Sequence, residues 1–188
     1  RAQDGTLTLG RSVRILVLEL CARVGSADRY LLCRQEKSDL GLTRDNLDAR
    51  ATKKMFDDED IPSAVQRCLL QTLGVECSVE DKFGIESAED VEEVRDSTAY
   101  PGLTTTYTLH VVRMRVRDPS DPCLGTIGLP SGSDFAVQQR GSAVGVGRTR
   151  SWFWCSRLVL EEANKAISGR PTSPRKPRRC KTLSQLGE

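Results

Sequence analysis

Glu59, Arg67, Leu69, Gly74 and Val75 stand in the order Glu-x7-Arg-x-Leu-x4-Gly-Val, and Glu59 is the third of four consecutive acids, Asp57, Asp58, Glu59 and Asp60. Carboxylates crowded ahead of an arginine suit two kinds of chemistry. They can supply hard oxygen ligands to a divalent cation, or they can place negative charge at the positive end of a helix. Other reactive residue types are sparse. The seven cysteines, at 21, 33, 68, 77, 123, 155 and 180, include no Cys-x-x-Cys pair, and His110 is the only histidine. A zinc cluster is therefore not expected, and most of these thiols sit among apolar residues where they behave as small hydrophobes. His110 lies on an apolar strand without a partner acid, serine or cysteine nearby in sequence, which reads as a structural side chain. Gly141, Gly145 and Gly147 precede Arg148, but no Gly-Lys-Ser/Thr follows, so this is a flexible loop and not a phosphate cradle.

The elements that must position these residues follow from periodicity. Residues 12–23 are apolar and β-branched with polar residues interleaved; a Gly25-Ser26-Ala27-Asp28 turn and a second apolar run at 30–34 complete a hairpin signature. Ile61, Ala64, Val65, Cys68, Leu69 and Thr72/Leu73 then recur at intervals of three and four, predicting an amphipathic helix within 57–75. Acids and Pro62 mark its start and Gly74 its end. A strand is expected over 76–85, an acidic connection over 86–96, and a long strand over 104–116. Residues 118–149 read as a long loop holding one short strand near 135–138. An aromatic strand at 151–155 carries Trp152 and Trp154 on one face, where core packing is the default over base stacking beside Arg148, Arg150 and Arg157. A last helix at 158–167 turns Leu158, Val159, Ala163 and Ala166/Ile167 inward. Tyr100, Pro101 and Gly102 read as a turn into the strand, with Tyr100 and Tyr107 as packing residues.

In this setting the 59–75 segment resembles the Nudix box, G-x5-E-x7-R-E-U-x-E-E-x-G-U, where U is aliphatic. Glu59, Arg67, Leu69 and the Gly74-Val75 pair fall at their box positions, and Trp154 ahead of a terminal helix resembles the family's usual ending. The resemblance covers about residues 12–167 and implies an α/β/α sandwich on a mixed β-sheet. It also implies a diphosphate hydrolase whose box acids hold divalent cations, and here the chain departs from the pattern. The three acidic positions are Cys68, Gln71 and Thr72, and Lys53 takes the place of the box glycine. A thiol, an amide and a hydroxyl do not supply the three negative charges that a hard cation favours.

With 188 residues and 38% hydrophobic, the chain can build one core. We therefore expect a Nudix-like α/β/α domain over 12–167, an N-terminal extension over 1–11 and a disordered basic tail over 168–188. Because the chain starts at Arg1, we also expect a longer parent. The charges, 28 Lys and Arg against 26 Asp and Glu, give a net +2 that draws the chain as a whole to neither nucleic acid nor membrane. They are unevenly spread. Residues 57–96 carry thirteen acids against Arg67, Lys82 and Arg95, a net of −10, while 165–188 carry seven basic residues against Glu188, a net of +6.

The expected function is a catalytically inactive binding or structural module in a larger protein or assembly, with no catalytic residue, metal or cofactor. Two alternatives stay open. One is an active hydrolase of a nucleoside diphosphate derivative whose metal ligands have moved to acids such as Glu59, Glu89, Glu92 or Glu93. The other is an RNA-associated structural component similar to mitochondrial ribosomal Nudix-like proteins. A protein partner is expected, with RNA as the second candidate, through Arg175, Lys176, Arg178, Arg179 and Lys181 near Ser173-Pro174. No apolar run reaches the roughly 20 residues of a membrane span. The odd thiol count fits a reducing intracellular compartment.

Overall fold

The computed structural model describes residues 10–45, 49–96, 103–139 and 147–168, the side chains of 166–168 excepted. Strand β1 (Gly10–Val24) is the spine. It pairs antiparallel with β2 (Ala27–Ser38) through a two-residue turn, and antiparallel with β4 (Ala51–Lys54). Its remaining edge pairs in parallel with β6 (Thr104–Val116) from Gly10↔Thr104 to Cys21↔Arg115. Outward from this centre the sheet order is β5-β6-β1-β2-β8-β7, with β5 (Phe83–Asp96), β7 (Phe135–Gln139), β8 (Arg148–Cys155) and a short β3 (Thr43–Arg44) on β2. The sheet is mixed, as expected.

Helices cover both faces. Helix α1 (Ile61–Cys68) and the wider π turn that continues it (Leu69–Leu73) pack on one face, where Ala64, Val65, Cys68, Leu69 and Leu73 join Leu16, Leu18, Val112, Met114, Trp152 and Trp154 in the main core. On the other face α3 (Arg157–Ser168) packs Leu160 and Ala163 on Leu32 and Cys155. The alternation of β8 divides its aromatic run between the layers: Trp152 and Trp154 face α1, while Phe153 faces α3. This is the three-layer α/β/α arrangement. Asp60 caps α1 by accepting the Ser63 amide at 2.8 Å, and Gly74 closes it at φ +70°.

Several sequence expectations need correction. The acidic run 86–96 is not a connection: it belongs to β5, because Arg113 and Arg115 on β6 neutralise Glu89 and Glu86 across the antiparallel pair. A short helix, α2 (Val79–Lys82), stands where the preceding strand was expected. β1 begins at Gly10 and α3 runs to Ser168, so the 1–11 extension and the 168–188 tail overlap the domain at their inner ends. Residues 118–149 are not simply a loop. A 3₁₀ turn (Pro122–Ile127) buries Leu124 and Ile127, β7 follows, and Trp154 Nε1 donates 2.8 Å to the Ile127 carbonyl. In α3 the inward residue is Leu160, and Leu158 is 72% exposed. The six described cysteines are free, four of them buried. Among the described residues no helix is long and apolar enough to cross a membrane.

Leu69 is fully buried where α1 passes into the π turn. Leu69→Ala should cost about 2–5 kcal/mol of stability in denaturant unfolding; a loss below about 0.5 kcal/mol would place the residue at a surface.

Candidate functional site

The box-like segment folds around one ion pair. Glu59 and Arg67 meet as a two-pronged contact, Arg67 Nε donating to Glu59 Oε1 at 2.7 Å and Nη2 to Oε2 at 2.6 Å, with side chains only 8% and 18% exposed. Glu59 Oε2 also accepts the Phe56 amide, and Arg67 Nη2 donates 2.9 Å to the Lys54 carbonyl. The Arg67 guanidinium lies 4.6 Å from the centre of the Phe56 ring. From β1, Arg14 donates to the Phe56 and Asp57 carbonyls. The turn between β4 and α1 is thus tied to the helix behind it. The hydrogen bond from Arg67 holds the Glu59 carboxyl below its ordinary value, despite the opposing effect of burial.

The three positions that carry acids in the family pattern do not converge on a cation. Cys68 and Thr72 are completely buried, in contact with each other at 3.9 Å, while Gln71 is exposed. Burial pushes the Cys68 thiol up, so it stays protonated and unsuited to a hard metal. The other acids near the segment are engaged or apart. Glu59 is held by Arg67, Glu89 by Arg113, and Glu93 by Arg95. Asp57 and Asp58 are exposed, and Asp60 caps the helix. Among the described residues no three His, Cys, Asp or Glu side chains are placed to share a metal ion. His110 is buried between Asp90, 2.7 Å from Nδ1, and Arg14, 3.4 Å from Nε2. These partners lie on separate strands, so sequence adjacency did not reveal them.

A cleft of about 540 Å³ opens beside this segment, lined by Lys53, Arg67, Thr72, Gln139 and Arg150. The sequence already set Lys53 beside the box-like segment, but its convergence with Arg150 and Gln139 was not foreseen. Lys53 stands opposite Leu16 in the β1–β4 ladder, and Ala51, two residues earlier, stands opposite Leu18; both leucines belong to the core, so alternation turns the lysine inward. Burial, with the nearby Arg67 charge, lowers the Lys53 ammonium from its ordinary value. Next to the cleft, Glu36 takes Arg148 at 3.2 Å and Arg150 at 2.7 Å. Burial alone would raise the Glu36 carboxyl, but its hydrogen bond to Arg150 and the charges of Arg150, Arg148 and Arg44 outweigh that and hold it low. The place of Lys53 at the box-glycine position and its period-two spacing from Ala51 were the available signals.

Arg175, Lys176, Arg178, Arg179 and Lys181, the Tyr100-Pro101-Gly102 turn, and Gly141 and Gly145 lie outside the described residues.

No family model matches the chain, and no curated protein matches it. Among solved structures, the crystal structure of an Ap4A hydrolase from C. elegans aligns with 84% of this chain and 91% of its own, at 12% identity and a TM-score of 0.43. A C. elegans Ap4A hydrolase binary complex aligns with 84% and 98%, at 11% identity and a TM-score of 0.39. Likeness at this level says nothing about what this chain binds or does.

Because the Glu59 carboxyl is held low in the folded chain, the stability it adds is present above its ordinary value of about 4.5 and is lost as pH falls through the lower folded value. Glu59→Gln should therefore remove about 3 kcal/mol at neutral pH, the lower end for breaking a buried pair. It should also flatten the acid limb of a stability–pH curve measured by denaturant unfolding below about pH 4.5. An unchanged acid limb would show that the pair does not hold this turn.

Proposed function

We propose that the chain is a Nudix-like module without hydrolase activity, acting by binding inside a larger protein or assembly. The observation that carries this reading is the chemistry of the site itself. Where the family pattern calls for three metal-holding carboxylates, two positions are a buried thiol and a buried hydroxyl, the third is an exposed amide, and the adjoining cleft carries Lys53. A dication brought there would meet an inward-facing ammonium with no cluster of carboxylates to offset it. What persists of the box is what holds the turn and the helix: the Glu59–Arg67 pair, buried Leu69, the left-handed Gly74 and buried Val75.

Purified protein should release no phosphate or nucleotide from diadenosine tetraphosphate or ADP-ribose in 5 to 10 mM Mg²⁺ or Mn²⁺ (roughly the range that saturates weak divalent sites), and calorimetry should show no saturable metal binding. Metal-dependent turnover abolished by Glu59→Gln or Glu92→Gln would overturn the reading in favour of relocated ligands.

The basic segment holding Arg175, Lys176, Arg178, Arg179 and Lys181 is the proposed partner contact, on the strength of its net positive charge in a chain whose 57–96 segment is net acidic. An RNA partner would give affinity that falls steeply between low and physiological salt as counterions are released, and deletion of 169–188 would flatten that slope. A protein partner bound mainly through the folded domain would show a shallow slope. Affinity and slope that both survive deletion for RNA and protein alike would reduce the segment to a linker.

A further inference from the structure

On the α1 side of the sheet, the apolar face turns polar along three strands at the same end, and cationic on two of them. On β4 it passes from Ala51 to Lys53, on β8 from Trp154 and Trp152 to Arg150 and Arg148, and on β7 from Phe135 and Val137 to Gln139. These are residues of one face, set by the ladders Leu16↔Lys53, Val137↔Arg150 and Gln139↔Arg148. The 540 Å³ cleft lies there, and a second recess of about 190 Å³ adjoins it across the shared residues Thr52 and Arg150 and reaches Arg44 and Trp152.

The charges do not cancel. Arg67 is matched by Glu59, but Glu36 alone faces both Arg148 and Arg150, and Lys53 has neither a hydrogen bond nor an ion pair among the described residues. Asp57, an exposed residue on the cleft lining, is the acid left on the other side of the ledger. Two neutral donors are also orphaned. Gln139, which lines the larger recess, and Trp152, which lines the smaller, have side-chain N–H groups at Nε2 and Nε1 that are buried without an acceptor among the described residues, and Trp152 is 1% exposed. A buried N–H left unpaired costs free energy, and here both such donors stand beside excess positive charge. The group that satisfies all of them is an acceptor with negative charge.

We propose that this paired recess binds an oxyanion directly, a phosphate group in the first place, with Lys53 and Arg150 supplying the charge and Gln139 and Trp152 the neutral hydrogen bonds, and with no metal between. The proposal rests on the reading that the metal-holding acids are gone, and it turns their absence into a binding chemistry of opposite sign. Tetrahedral oxyanions suit such a site because several oxygens accept from divergent donors at once. The volume has room for a phosphate with a small organic group attached.

The test titrates the full chain with orthophosphate and, separately, with adenosine monophosphate, in EDTA, read by calorimetry and by the indole N–H of Trp152 and the side-chain amide of Gln139 in ¹⁵N NMR. Saturable binding with a Kd of about 1 mM or tighter is expected, with both resonances shifting. Tighter binding of the nucleotide would assign a phosphate monoester as the ligand, and equal values free phosphate. Lys53→Met should weaken binding by at least about 10-fold, as for loss of a charged hydrogen bond, and should raise the thermal midpoint of the unliganded protein, because it replaces an inward ammonium by an apolar side chain facing Leu16. Gln139→Leu gives an independent second variant and should weaken binding with less effect on folding, while Lys165→Met, on exposed α3, should change nothing. The basic tail is the same in all these proteins and drops out of the comparison. Binding equal in the parent, Lys53→Met and Gln139→Leu, binding that appears only with Mg²⁺, or no saturation would each overturn the proposal. Because the titration is run in EDTA, a hydrolase discovered in metal would refute the inactive-module reading and leave this result to stand or fall by itself.

Discussion

The site region depends on the Glu59–Arg67 pair more than on any other contact. Through one fork it joins the end of β4, by way of the Lys54 carbonyl, to the turn before α1, by way of the Phe56 amide, and to the body of the helix, from which Arg67 projects. Both charges are largely withdrawn from water, so each needs the other: a lone buried carboxylate or guanidinium would carry an uncompensated desolvation cost. The geometry also consumes the pair chemically. A carboxylate occupied by two guanidinium nitrogens and a backbone amide has little left to offer a metal.

With the turn fixed, the rest of the site follows from the sheet. β1 is buried on both faces, Leu16, Leu18 and Leu20 towards α1, with Val17 and Cys21 facing the other way, so the residues that pair with it are committed to a face by register. That commitment sends Lys53 inward behind Ala51 and places Arg150 and Gln139 on the same side as the tryptophans. A strand slipped by one residue would turn Lys53 to solvent and bury Thr52 and Lys54 instead. The cationic recess is therefore a property of register, held by the same apolar contacts that stabilise the domain.

The outer edge of the sheet shows the opposite electrostatics under the same rule. β5 is rich in acids because β6 presents Arg113 and Arg115 to it, and Arg115 also reaches Asp28 on β2 at 3.1 Å and Glu86 at 2.5 Å. Those exposed pairs add little stability individually. Their arrangement matters more as protection, since charged side chains on a long edge strand discourage pairing with other chains.

The amino-acid sequence by itself determined the local elements whose signal is periodic or chemical. The helix over α1 and its stop at Gly74 were legible in the spacing of Ala64, Val65, Cys68, Leu69 and Leu73, the hairpin in Gly25-Ser26, the β6 strand in its alternation, and the lack of carboxylates at 68, 71 and 72 in the residue types there. Other features needed the tertiary structure. The 86–96 run looks like a solvated loop until Arg113 and Arg115 are set across from it, and 118–134 looks like a linker until Leu124 and Ile127 find the core and Ile127 accepts from Trp154. The partners of His110 and Glu36, and the convergence of Lys53, Gln139 and Arg150 on one recess, join residues far apart in the chain. Short-range patterns encode what a segment prefers within a few residues, whereas charge compensation and the facing of a cleft are set by which strands become neighbours, and the pairing of β1 with β6 and of β2 with β8 decides that only once the sheet has formed.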